Sequence, residues 1–213
     1  MQFKRLFALL GALAVVSTSS TVRAAESGPG NPIVIEEEIL DEGGESTPDG
    51  GSAWQTTDDL LFNCFQLRLF ATNKVSALDK AIASLRTATA TNYWIDESHL
   101  RYPSGAKAFT SASKALTGLK NVVKKRSDLL NNAQLNEWSA DLAEQYRRLA
   151  YNRIVEAARA GVSVQKLYGA WKQYLRGEAD LSAGKYSTAI NRYGTSWKQA
   201  GKLHAKLLQS SRR

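Results

Sequence analysis

Residues 186–207 read YSTAINRYGTSWKQAGKLHAKL, and this segment has the most regular apolar spacing in the chain. Its apolar side chains recur at intervals of three, four or seven residues, at Tyr186, Ile190, Tyr193, Trp197, Ala200 and Leu207. That spacing places them on one face of an α-helix. Because a helix with one apolar face needs a partner to cover that face, the segment predicts a protein of packed helices.

Helical spacing also recurs between residues 54 and 185, where Pro103 is the only proline. The pattern predicts further helices on either side of a loop over residues 91–104. Their expected bounds are Thr56 or Thr57 to about Ala90, continuous or broken near Asn73; about Ser104 to Ser127; Asn131 to Gly161; and Ser163 to Gly184. We therefore expect an all-α antiparallel bundle of four to five helices.

The N-terminal part of the chain divides into two segments. Residues 1–24 have a charged start, an apolar stretch and small residues before Ala25, which is the layout of a secretory signal peptide. Residues 25–53 contain eight acidic residues and no lysine or arginine, and they predict a disordered acidic linker. Residues 54–213 form the predicted helical domain, in which 25 basic residues oppose 12 acidic ones. We expect an exported protein, periplasmic or secreted, with no membrane-spanning segment in its mature form.

Cys64 is the only cysteine, so no internal disulfide can form. It lies in an apolar run, which predicts a buried structural thiol. A reactive or dimer-forming thiol is the alternative.

Residues 170–197 read AWKQYLRGEADLSAGKYSTAINRYGTSW. This segment resembles the middle of a tetratricopeptide repeat in its pattern of Gly184, Tyr186, Ala189, Ile190 and Tyr193. The resemblance implies a hairpin of two helices with a tight turn at Gly184. Its functional implication is a groove for a partner helix or peptide, with Tyr186, Tyr193 and Trp197 as the candidate partner surface. Alternatively, these side chains only pack the hairpin together.

One local group of side chains is suited to catalysis, and it consists of Asp96, Glu97 and His99. Two carboxylates and an imidazole can bind a metal or transfer protons, but they are equally suited to a solvated loop. The second histidine, His204, is more than a hundred residues away, and the chain has no zinc-site spacing, nucleophile elbow or phosphate-binding glycine loop. We therefore predict no catalytic residue, no cofactor and no metal.

Basic residues form two groups on the helical domain. The candidate basic ridge consists of Lys124, Lys125 and Arg126 near the end of the second helix and Lys198, Lys202 and Lys206 on the last helix. Such a ridge can attract anionic lipid headgroups, acidic polysaccharide or nucleic acid. The alternative is a solvated outer face that keeps the protein in solution.

Three classes of function remain. We favour a non-catalytic exported interaction or structural protein of the cell envelope, which binds an envelope or extracellular protein through its helical surface. The first alternative is a protein that binds polyanions or an anionic membrane surface through its basic helix faces, with the acidic linker as an internal competitor. The second alternative is a helical enzyme with a dispersed site around Asp96, Glu97 and His99.

Overall fold

The computed structural model describes residues 51–211, and six packed helices account for most of them. The helices are α1 Ala53–Phe70, α2 Ser76–Ala88, α3 Ala106–Lys125, α4 Asn132–Arg159, α5 Val164–Ser182 and α6 Tyr186–Ser210. The prediction of a mostly helical, packed protein is confirmed. The predicted signal peptide and residues 25–50 of the predicted acidic linker lie outside the described residues.

The segment predicted as the first helix is divided into α1 and α2. The backbone is extended at Ala71, and helical geometry resumes at Ser76, close to the break considered near Asn73. The Arg68 guanidinium donates to the Asp79 carboxylate across this break at 2.9 Å, which joins the end of α1 to the start of α2. The molecule therefore has six helices, and the expectation of four to five was wrong.

The start of α1 also differs from the prediction. Ser52 is the N-cap, and its hydroxyl accepts a hydrogen bond of 3.1 Å from the backbone N–H of Gln55. The predicted caps Thr56 and Thr57 lie inside the helix, where the Thr57 hydroxyl donates to the Ala53 carbonyl at 2.7 Å. The helix begins earlier because Ser52 supplies a capping oxygen one turn before the two threonines.

The predicted ends of α4 and α5 are confirmed. The Asn131 side chain accepts a hydrogen bond of 2.9 Å from the backbone N–H of Gln134, as expected of an N-cap. Gly161 and Gly184 follow α4 and α5 with φ of 97° and 68°, a left-handed conformation that glycine adopts without strain. Ser163 occupies the cap position of α5, although its side chain makes no capping hydrogen bond within the described residues.

The predicted loop over residues 91–104 contains a small antiparallel hairpin. Its strands are β1 Trp94–Asp96 and β2 His99–Leu100, and they follow a single turn of 3-10 helix at Thr91–Tyr93. The Trp94 indole is buried and donates to the Ala88 carbonyl at 2.8 Å, which fastens the hairpin to the end of α2. This short hairpin is a departure from the all-α expectation.

Three helices run side by side in alternating directions. The Ser113 hydroxyl on α3 donates to the Ser187 carbonyl on α6 at 2.8 Å, and closer to the start of α3 Phe109 packs against Gly194. These two contacts show that α3 and α6 are antiparallel. On the other side of α3, Gly118 lies against the start of α2, while Lys107 at the start of α3 lies 5.8 Å from the ring of Tyr93, which follows the end of α2. These two helices are therefore antiparallel as well.

The core is centred on α6, which packs against α3, α4 and α5. The rings of Phe109 and Trp197 lie 5.9 Å apart, and the Phe109 ring meets Tyr146 edge-on at 5.0 Å. On α5, Gly177 faces the Tyr193 ring so closely that a Cβ atom there would lie 2.5 Å from it. Glycine is therefore required where the two helices of the closing hairpin approach.

Cys64 lies in this core. Its side chain is fully buried, and burial raises the pKa of its thiol to about 12. The prediction of a buried thiol is confirmed.

Candidate functional site

The closing hairpin α5–α6 does not present its aromatic side chains as predicted. Tyr193 and Trp197 are 0% and 2% exposed, so they belong to the core and cannot form a partner surface in this conformation. Tyr186 is half-buried at the start of α6. The physical reason is that the apolar spacing that predicts the helix also predicts which face is covered, and Tyr193 and Trp197 are on that face.

A network of polar side chains joins the two helices of this hairpin to each other and to α4. The Tyr193 hydroxyl donates to the Glu178 carboxylate at 2.6 Å, and the Arg147 guanidinium on α4 donates to the Tyr174 hydroxyl at 3.1 Å. Arg147 also makes two hydrogen bonds of 2.7 Å to Glu144. Burial raises the pKa of Tyr174 to about 12 and raises that of Tyr193 further. Because these groups bind one another across α4, α5 and α6, their role is structural.

A cavity of about 320 Å³ lies where the β1–β2 hairpin meets α4 and α6. The structure brings Asp96 and His99 together at this cavity and adds Arg153 and Glu156 from α4. Glu97 does not line it, and His204 is a half-buried residue elsewhere on α6. Arg153 and Glu156 were not predicted as site residues, because they lie more than fifty residues from His99 and form no local motif with it.

Most of the charged side chains that line this cavity are hydrogen-bonded to one another. His99 Nδ1 lies 2.9 Å from Asp96 Oδ1, and since a carboxylate only accepts, this nitrogen carries the proton. Slight burial favours a higher pKa for the Asp96 carboxyl, but its hydrogen bonds, above all the one from His99, outweigh this effect. The pKa of Asp96 is therefore lowered. His99 Nε2 lies 3.9 Å from Glu156, which accepts from Arg153 at 2.7 Å. Within the described residues, Nε2 makes no hydrogen bond.

Two structural findings bear on metals and membranes. Among residues 51–211, no group of three or more His, Cys, Asp and Glu side chains is arranged to hold a metal ion. None of the helices described in this part of the chain combines the length and the apolar character needed to cross a bilayer.

The most distinctive surface is formed by the two adjacent helices α3 and α6. Neither helix contains an aspartate or a glutamate. They carry eight exposed lysines, which we call the lysine face: Lys107, Lys114, Lys120, Lys124, Lys125, Lys198, Lys202 and Lys206. All 12 acidic residues of the helical domain lie outside these two helices. No lysine of this face is within 4.0 Å of an acidic oxygen belonging to the described residues.

The predicted basic ridge needs a correction, because its two groups do not adjoin. α3 and α6 run antiparallel through the contact of Ser113 with Asn191, where the Asn191 amide donates at 2.8 Å. Lys124 lies beyond this contact in one direction and Lys198 in the other. At about 1.5 Å of rise per residue, the two lysines are roughly 25 Å apart along the layer. Arg126 is also bound by Asp128, with hydrogen bonds of 2.7 to 3.2 Å.

Lys107, Lys114 and Lys120 connect the two groups into one extended face. Lys107 and Lys114 were not predicted as part of this surface because neither has another cation close to it in the sequence. The available signal was the complete absence of acidic residues from two whole helices.

Comparison with models of known protein families gave no match, and no significant match was found among curated proteins or among solved structures. The resemblance of residues 170–197 to a tetratricopeptide repeat therefore stays a prediction.

Proposed function

We propose that this chain is a non-catalytic, exported interaction protein that binds polyanions through the lysine face. The observation that supports the proposal is the segregation of charge, with eight exposed lysines and no acidic residue on two adjacent antiparallel helices. A face of one charge sign produces a potential that concentrates polyanions near the surface. Export, to the periplasm or out of the cell, is part of the same proposal and depends on the signal predicted in residues 1–24.

The geometry suits a linear or planar polyanion better than a small anion. The lysines are spread along the length of both helices, and α3 alone, with 20 residues, is about 30 Å long. The two cavities described at the β1–β2 hairpin are lined by none of these lysines. An extended anionic partner can therefore contact several lysines at once, and each contact releases counterions from the polymer.

The test is the salt dependence of binding to heparin, measured with the exported, processed chain. We expect affinity to fall steeply between low and physiological salt, because each lysine contact contributes up to about 0.9 to the slope of log K against log salt for a dense polyanion. A variant with Lys107→Ala, Lys114→Ala and Lys120→Ala should bind more weakly and with a shallower slope.

The matched control replaces three exposed lysines on other helices, Lys80, Lys166 and Lys172, by alanine. The net charge then changes equally in the two variants. Equal losses in both would show that only the total charge matters, and this outcome would contradict a specific binding face.

A protein partner, which the sequence analysis favoured, is our second proposal, and a different surface supports it. Val164, Tyr168 and Leu175 on α5 are each more than half exposed and lie on one side of the helix. Lys172 and Arg176 border this stripe. The charge and spacing fit an amphipathic partner helix with acidic flanks.

A designed peptide with leucines at intervals of three and four residues and flanking glutamates can probe this stripe. We expect binding that is lost in the Tyr168→Ser, Leu175→Ser variant and is absent for a scrambled peptide. Equal binding of both peptides would contradict the proposal.

A further inference from the structure

The outer side of α1 carries large apolar side chains that no described element covers. Phe62, Leu69 and Phe70 are 61%, 79% and 75% exposed. Phe62 and Leu69 are seven residues apart, which places them on the same side of the helix, and Phe70 is next to Leu69. The opposite side of α1 is also apolar, with Leu60 and Leu61 buried in the core. Asp58 and Asp59 lie one turn before Phe62 on the same side of the helix, so the exposed large apolar side chains are confined to the C-terminal half of α1.

This apolar surface lies at one defined end of the molecule. The bond between Arg68 and Asp79 holds the end of α1 beside the start of α2. The start of α2 in turn packs against Gly118 of α3. From Gly118, the remaining part of α3 continues for about 10 Å toward its C-terminal end at Lys125. The exposed end of α1 and the C-terminal end of the lysine face therefore lie at the same end of the bundle.

The cations at this end are not neutralised by the acidic residues nearest to them in sequence. Asp79 is engaged by Arg68, and Asp128 by Arg126. The exposed lysines at this end include Lys74 in the α1–α2 connection and Lys120, Lys124 and Lys125 on α3. We call these lysines together with Phe62, Leu69 and Phe70 the basic–apolar end.

We propose that the basic–apolar end docks on an anionic lipid bilayer. Phe62, Leu69 and Phe70 enter the boundary between headgroups and acyl chains, while the lysines contact anionic headgroups. This inference rests on the proposed function, since it names the polyanion that the lysine face meets at this end. A soluble polyanion gains no affinity from exposed phenylalanine side chains. An anionic bilayer binds apolar side chains in its interfacial region and cationic side chains at its headgroups.

The experiment measures flotation of the exported, processed chain with vesicles of phosphatidylcholine alone and with vesicles that contain 30% phosphatidylglycerol. We expect binding to the anionic vesicles only. In the Phe62→Ser, Leu69→Ser, Phe70→Ser variant, vesicle affinity should fall more than tenfold while heparin affinity stays unchanged. Lys124→Ala should lower vesicle affinity about fivefold, the effect expected of one lysine at an anionic surface.

The matched control is Val164→Ser, Tyr168→Ser, Leu175→Ser on α5, which removes a similar apolar area elsewhere and should leave vesicle binding intact. Circular dichroism and unfolding midpoints verify that each variant is folded.

The outcomes separate this inference from the proposed function. Heparin binding without vesicle binding overturns the bilayer inference and leaves the proposed function standing. Failure to bind either overturns both. Vesicle binding that survives the α1 substitutions also overturns the inference. A concentration-dependent dimer that those substitutions abolish, without any vesicle binding, identifies a second copy of the chain as the occupant and overturns the inference as well.

Discussion

The charged residues of α4 and α5 and those of α3 and α6 are arranged in opposite ways. On α4 and α5, arginines and glutamates bind one another, as in the hydrogen bonds of Arg147 and Arg148 to Glu144. On α3 and α6 the cations are mainly lysines, and no acidic residue is present on either helix. Arginine forms directional bonds with carboxylates, whereas the lysine ammonium is a hydrated point charge. The charges of the first pair of helices therefore contribute to internal cohesion, whereas those of the second pair are left exposed, as the proposed function requires.

The same contrast applies to the aromatic residues. Tyr193 and Trp197 were candidates for a partner surface, with packing of the hairpin as the alternative, and they lie in the core, while Phe62 and Phe70, which no prediction singled out, are exposed. The comparison predicts that substitutions on the inward side affect stability and that those on the outward side affect binding.

The largest expected effect is that of Trp197→Ala. Removing a buried tryptophan that packs on Phe109 should lower the free energy of unfolding by about 3–5 kcal/mol. Urea denaturation followed by circular dichroism measures it. The half-buried Tyr186 serves as the control, and Tyr186→Ala should cost clearly less. If Trp197→Ala instead left stability intact and reduced binding to the acidic helical peptide, the assignment of this ring to the core would be wrong.

An intermediate effect is expected from pH, through Tyr174. Burial raises the pKa of this hydroxyl to about 12, above the value of about 10 in an unfolded chain. Between these values the unfolded chain loses the proton while the folded chain keeps it, so the stability that is present below about pH 10 is lost as the pH rises toward 12. Tyr174→Phe should therefore flatten this alkaline decline. Urea midpoints at pH 8 and pH 11 measure the difference, and parallel declines in both chains would refute the expectation.

The sequence predicted the parts of the fold that depend on local chemistry. The apolar spacing of α6, the cap at Asn131 and the helix ends at Gly161 and Gly184 each depend on residues close together in the chain. The division between α1 and α2 was considered but not decided, since no proline or glycine marks it.

The candidate sites depend on packing between distant segments, which one sequence does not reveal. The cavity forms where Glu156 of α4 lies beside His99 of β2, and no local sequence pattern indicates that these two residues meet. The apolar Leu175 is 58% exposed because α5 is covered on one side only, and the sequence of α5 alone does not show which side that is. The wide separation of Lys124 and Lys198 follows from the antiparallel packing of α3 and α6, which the sequence does not show.

The smallest expected change in stability comes from the lysine face, and it sharpens the comparison most. Lys114→Ala and Lys120→Ala remove exposed cations that have no acidic partner within 4.0 Å in the described part of the chain. Surface substitutions of this kind change the free energy of unfolding by about 0.5 kcal/mol or less. Removing cations from a face of like charge also relieves repulsion, so the change can be stabilising. Urea midpoints at low and high salt measure it. A loss of more than about 1 kcal/mol would mean that these lysines contribute to the cohesion of the fold, and the contrast between the two pairs of helices would then fail.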